Sequence, residues 1–166
     1  PLVVSGLETA FSTGRPYVAE LESLVAILPE LDVPEAVTAA AGQGLARPGE
    51  LADRFAAALP DILAGQTSAG TGDWSRDALD WAKGLLAIRP ARELDGNSPE
   101  AVISRLEAAM ERRDFTAANA LIADLPVSMR VAAGPLAEEI AAHAAAEAFI
   151  AAMRVRALAP AGAEAG

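Results

Sequence analysis

His143 is the only histidine in the chain, and cysteine is absent. A Ser-His-acid triad needs a serine presented on a tight turn, and no Gly-x-Ser-x-Gly occurs. With one imidazole and no thiolate, a transition metal would depend on carboxylates alone. His143 sits among alanines and reads as a packed or half-exposed helical residue. Two carboxylate pairs lie close in sequence, Asp77 with Asp80 and Glu138 with Glu139. Such pairs do acid–base work when burial drives their pKa values apart. Both pairs here read as solvated faces. Asp95-Gly96-Asn97-Ser98 has the opening of a calcium loop. It lacks the glycine at loop position six and has Leu106 where position twelve needs an acid. Gly42-x-Gly44 and Gly70-x-Gly72 are not phosphate loops, since neither leads into Lys-Ser/Thr or follows a strand.

No catalytic constellation emerges, and we expect no enzyme, no metal and no cofactor. The remaining residues with chemical weight are large and apolar. Trp74 and Trp81 are seven apart on one helical stripe. They are either core or interface anchors, since Trp is enriched in binding hot spots. Tyr17 and Leu21 pose the same choice.

The elements that hold these residues follow from composition. The chain has 166 residues, a hydrophobic fraction of 52% and a charged fraction of 22%. That is the size and balance of one globular domain. Much of the apolar share is Ala, the strongest helix former, and aromatics are only 4%. An all-α fold is expected, a compact bundle of short helices with a long C-terminal helix. The net charge of −10 argues against a nucleic-acid footprint and against unaided adsorption to an anionic membrane. Without cysteine, disulfides are excluded and the redox compartment is left open. No apolar run reaches the roughly 18 residues of a spanning helix. The chain opens at Pro1 without Met or a signal peptide, and we read it as a fragment of something longer.

Along the chain, 2–13 predicts a first helix with Leu7, Ala10 and Phe11 inward. Pro16 suits the first turn of a second helix over 16–28, because the N–H it lacks would be unpaired there. That helix carries Tyr17, Val18, Leu21, Leu24, Val25 and Leu28 on one face. An acidic linker over 30–33 leads to a short helix over 34–41, closed by Gly42 or Gly44. A helix from Pro48 has Leu51, Phe55, Leu59 and Ile62 in line, with a kink or restart expected at Pro60. Residues 65–72 read as a flexible small-residue loop. Asp73 is placed to cap a helix through Ile88 that carries both tryptophans. Residues 90–97 read as a polar connection. Ser98-Pro99-Glu100 is a strong helix start. The helix it opens turns Val102, Ile103, Leu106 and Met110 inward. Asp114-Phe115 opens a short helix with Ala118, Leu121, Ile122 and Leu125, stopped by Pro126. A last helix over 135–157 lines up Leu136, Ile140, Ala144, Glu147 and Ala151. The tail, 158–166, is expected to be disordered.

Residues 99–126 also resemble a single tetratricopeptide-type hairpin, through Arg113-Asp114-Phe115 and Ala118; the 34-residue period does not recur. A second resemblance covers more of the chain. The string Phe11-Ser-Thr-Gly14-Arg-Pro16-Tyr17-Val-Ala-Glu20-Leu21 resembles the opening signature of the mitofilin family. It continues through Arg47-Pro48-Gly49-Glu50-Leu51, Trp74 to Arg92, and Arg113-Asp114-Phe115. In loose form it spans residues 7 to 157, and it looks most like the alphaproteobacterial type. The resemblance implies a C-terminal helical domain, here residues 1–157, of a protein anchored in the inner membrane by an N-terminal helix and coiled coil. It implies a non-enzymatic scaffold on the periplasmic side that shapes the inner membrane into cristae or intracytoplasmic folds. The implied partners are further copies of itself and outer-membrane machinery of the Omp85 type. Phe11, Pro16, Tyr17, Leu21, Leu24, Trp74 and Trp81 are the candidate interface residues. The alternative is a generic periplasmic helical-hairpin adaptor.

Overall fold

The computed structural model describes residues 2–67 and 96–158. Trp74, Trp81, Asp77, Asp80, the helix expected from Asp73 to Ile88, Gly70-x-Gly72 and the tail 159–166 lie outside them. The protein is all-α, and its described residues form eight helices and no strand. The chain divides into two compact units, residues 1–47 with 142–166 and residues 48–141.

The first unit holds α1 (Leu2–Thr13), α2 (Val18–Ile27) and α3 (Glu35–Ala40). It also holds residues 142–158 of the long C-terminal helix α8 (Pro135–Leu158). Its core gathers Leu7, Ala10 and Phe11 of α1 with Tyr17, Leu21, Leu24, Val37 and Leu45. Ala146, Phe149, Ile150 and Met153 of α8 complete it. Burying each large side chain here contributes about 1.5–3 kcal/mol.

The second unit holds α4 (Pro48–Thr67), α5 (Pro99–Arg112), α6 (Phe115–Asp124) and α7 (Val127–Ala133). Helix α4 packs on α5 and α7, and α5 packs on α6. Ser98 caps α5 by accepting from the Ala101 N–H at 3.2 Å, and Asp114 caps α6 by accepting from the Ala117 N–H at 2.9 Å. Between those helices Arg113 takes the left-handed conformation, φ 58°, and ends α5.

Several expectations need correction. Helix α2 starts at Val18, so Pro16 precedes it and does not sit in its first turn; Tyr17, at φ −142° and ψ 27°, is the residue flanking the helix. Pro60 does not interrupt α4. A proline inside a helix costs about 3 kcal/mol. Leu51, Phe55 and Leu59 are buried before it and Ile62 and Leu63 after it, which outweighs that loss. Gly65 belongs to α4, not to a loop. A Cβ there would lie 2.9 Å from the Ser128 carbonyl oxygen, so its missing side chain lets α4 approach α7. Helix α7 is an element that the sequence pattern does not announce. On α8, Glu147 and Ala151 are exposed. The buried stripe runs instead through Leu136, Ile140, His143, Ala146, Ile150 and Met153, in steps of three and four.

Candidate interaction surfaces

The string from Phe11 to Leu21 forms one bonded corner of the first unit. Gly14, at φ 74°, closes α1 through a 2.8 Å bond from its N–H to the Ala10 carbonyl. Gly44, at φ 84°, comes so close that a Cβ on it would overlap the Gly14 carbonyl. Arg15 donates to the Gly6 carbonyl at 3.2 Å and to the Pro16 carbonyl at 3.0 Å, and it pairs with Glu20 at 2.6 Å. The hydrogen bond from Arg15 holds the Glu20 carboxyl below its ordinary pKa. Arg47 reaches back to the Thr13 carbonyl at 3.3 Å.

Tyr17 is the centre of this corner. Its ring meets Phe11 edge-on, with centroids 4.9 Å apart and planes at 82°. Its N–H donates to the Ala41 carbonyl at 2.9 Å, and its hydroxyl donates to the Val37 carbonyl at 2.6 Å. Burial pushes the phenol pKa up to about 12. An interface anchor must reach solvent, and Tyr17 has no exposed surface, while Phe11, Leu21 and Leu24 are buried. These four are core residues. Pro16 is exposed.

What α2 does turn outward is a different set. Val18 and Val25, seven apart, are 43% and 39% exposed, and Ile27 is 65% exposed. Val18 and Val25 share one flank of the buried stripe. In the second unit, Val127 and Val131 of α7 are exposed one turn apart.

Among the described candidate groups, His143 is packed and Glu139 is paired. His143 is buried, and its Nε2–H donates to the Ala46 carbonyl at 2.6 Å. A carbonyl can only accept, which fixes the proton on Nε2. Glu139 takes both guanidinium nitrogens of Arg54, at 2.7 and 2.6 Å. This pairing keeps Arg54 more firmly protonated. Glu138 is exposed. Among the described residues no group of three or more His, Asp or Glu is placed to hold a metal ion. No helix among them is long and apolar enough to cross a membrane.

One concave feature lies wholly in the second unit. A groove of about 430 Å³ runs between α4 and α5. Gly49, Ala52, Asp53 and Ala56 line it from α4 in an i, i+3, i+4, i+7 row. Glu107, Met110 and Glu111 line it from α5, with Arg113 at the end of that helix. Phe55 and Met110 are buried beneath it, and the three carboxylates stand exposed along its walls. No sequence signal announces this feature, because it arises only when two helical rows are set side by side.

No family model matches the chain, and no curated protein or solved structure does.

Proposed function

We propose that the chain is a non-enzymatic scaffold domain of the mitofilin type. On this reading it acts through protein–protein contacts on the periplasmic side of a bacterial inner membrane. It helps to fold that membrane and to tether it to outer-membrane machinery of the Omp85 type. One observation carries the reading. The string that resembles the family signature, Phe11 to Leu21, is bonded to Gly6, Val37, Ala41 and Arg47 as a single corner, and the Val18 and Val25 flank of α2 faces out. A locked inner face beside an apolar outer flank is what an assembly helix needs. Isologous two-fold pairing is the commonest way to cover such a flank.

The test uses sedimentation and capture together. The purified chain should self-associate at high concentration and should retain the periplasmic domains of an Omp85-type protein. Val18→Asp with Val25→Asp should weaken association while leaving the melting temperature nearly unchanged. A chain that stays monomeric and captures nothing sinks the scaffold reading.

A second reading, the helical-hairpin adaptor, draws on α5 and α6, which pack as a pair joined through Arg113-Asp114. Upstream coding sequence separates the two. A spanning helix and heptads favour the scaffold, and a cleavable signal peptide directly before the domain favours the adaptor.

A further inference from the structure

We propose that the groove between α4 and α5 is a docking site for a cationic amphipathic helix of a partner protein. The inference concerns the second unit alone and does not rest on the membrane-scaffold reading.

Shape comes first. The α4 wall is built from Gly49, Ala52 and Ala56, residues with little or no side chain. Small residues in an i, i+3, i+7 row let another helix backbone approach closely. Phe55 and Met110 lie buried beneath these small residues, so the surface a docking helix would meet is that of Gly49, Ala52 and Ala56. The volume, about 430 Å³, falls in the range of ordinary ligand pockets, roughly 300–1,000 Å³. A helix that lays an apolar i, i+4, i+7 row into such a groove is an established mode of peptide recognition.

Charge selects the occupant. Asp53 stands on the α4 wall and Glu107 and Glu111 on the α5 wall, with the Arg113 guanidinium at the end of α5. Acids on both walls match a helix with Lys or Arg on both flanks of its apolar row. A second copy of this chain brings a net charge of −10, and an anionic lipid surface also brings like charge. Like charges opposed along these walls disfavour either occupant. The complementary partner is therefore a basic helix.

The probe is an 18-residue peptide of Leu, Ala and Lys with its leucines at i, i+4, i+7 spacing. The control is the same composition in scrambled order. Binding is read by fluorescence anisotropy, and its place by the methyl signals of Met110, Met129 and Met153. These are the only three methionines, and Met110 alone lines the groove. The ordered peptide should bind about tenfold or more tighter than the scrambled one, a difference near 1.4 kcal/mol. Binding should shift Met110 and leave Met129 and Met153 in place. Ala56→Trp fills the groove from an exposed position, and Asp53→Asn with Glu111→Gln removes charge from both walls. Each should weaken binding about tenfold. Far-UV circular dichroism checks both variants, so a misfolded Ala56→Trp leaves the charge pair and the methyl map to decide. Equal binding of the scrambled peptide overturns the proposal, as does full binding to both variants or a shift at Met129 or Met153. Self-association or flotation with anionic vesicles that the groove variants abolish also overturns it, in favour of a second copy or a lipid.

Discussion

The Tyr17 hydroxyl donates a 2.6 Å hydrogen bond to the Val37 carbonyl, and both residues have no exposed surface. The two lie twenty residues apart, so this bond ties the start of α2 to the middle of α3. The same tyrosine packs edge-on against Phe11 of α1. One side chain thus fixes three helices of the first unit.

Removing only the hydroxyl isolates that bond. Tyr17→Phe should destabilise by about 1–3 kcal/mol, because the Val37 carbonyl is left buried and unpaired. Tyr17→Ala should cost roughly 3–5 kcal/mol, through the lost ring and the cavity. Neither change should alter the sedimentation of the folded protein, since Tyr17 does not reach the surface. Thermal melting and sedimentation on the same samples check both halves. A change in association without a loss of melting temperature would return Tyr17 to an interface.

The phenol also sets an alkaline limit. Its pKa is pushed up by burial to about 12, against 10 in an unfolded chain. A raised folded-state pKa means that the neutral form is favoured by folding. That stability is complete below about pH 10 and is lost as pH rises toward about 12. A rise of this size corresponds to roughly 2–3 kcal/mol at most. Denaturant melts from pH 9 to 12 should show the decline in wild type and a flatter limb in Tyr17→Phe. Equal slopes would mean that another group sets the limit.

Gly44 and Gly42 make a matched pair. Gly44 holds φ 84°, and a Cβ there would strike the Gly14 carbonyl. Left-handed backbone alone costs a non-glycine residue about 1–2 kcal/mol, and the clash adds to it. Gly42 has no positive φ, and a Cβ added to it would meet no atom within 4 Å. We expect Gly44→Ala to lose several degrees of melting temperature. Gly42→Ala should hold steady or gain, by about 0.4–1 kcal/mol, through a stiffer unfolded chain. Equal behaviour of the two would break the account of the corner.

How much of this is legible in the sequence depends on what sets each feature. Helix α1 has the expected bounds and the expected inward residues, because its period and its glycine stop are local signals. The Ser98 and Asp114 caps are legible for the same reason. Pro60 misleads because its local cost is overridden by a stripe of large residues on either side. Helix α7 is hidden because seven residues are too few to show a period, and only Met129 and Ala133 mark its buried side. The side of α2 that faces the core is not decidable from spacing. Tyr17, Leu21 and Leu24 lie within about one turn-width of Val18 and Val25 on the helix, and only the neighbours show which set is covered. The α4–α5 groove is invisible for a stronger reason, since no single segment contains it.

Arg113 closes α5 at φ 58°, the only non-glycine residue with positive φ among those described. Its N–H bonds to the Met110 carbonyl at 3.0 Å, and the Asp114 N–H bonds to the Ala109 carbonyl at 2.9 Å. These bonds satisfy carbonyls that the helix end would otherwise strand. They are made by the backbone, so glycine can make them as well and without the left-handed cost. That cost, about 1–2 kcal/mol, is partly offset by the greater freedom of glycine in the unfolded chain, about 0.5–1 kcal/mol. Arg113→Gly should therefore raise the melting temperature slightly, and Arg113→Val should lower it, since a β-branched side chain tolerates this backbone least. The same glycine variant removes the Arg113 guanidinium from the acidic groove. It should bind the cationic peptide more tightly than the wild type does, and the gain should shrink as salt is raised. A lower melting temperature for the glycine variant than for the valine variant would show that the Arg113 side chain, and not the backbone turn, holds the α5–α6 corner.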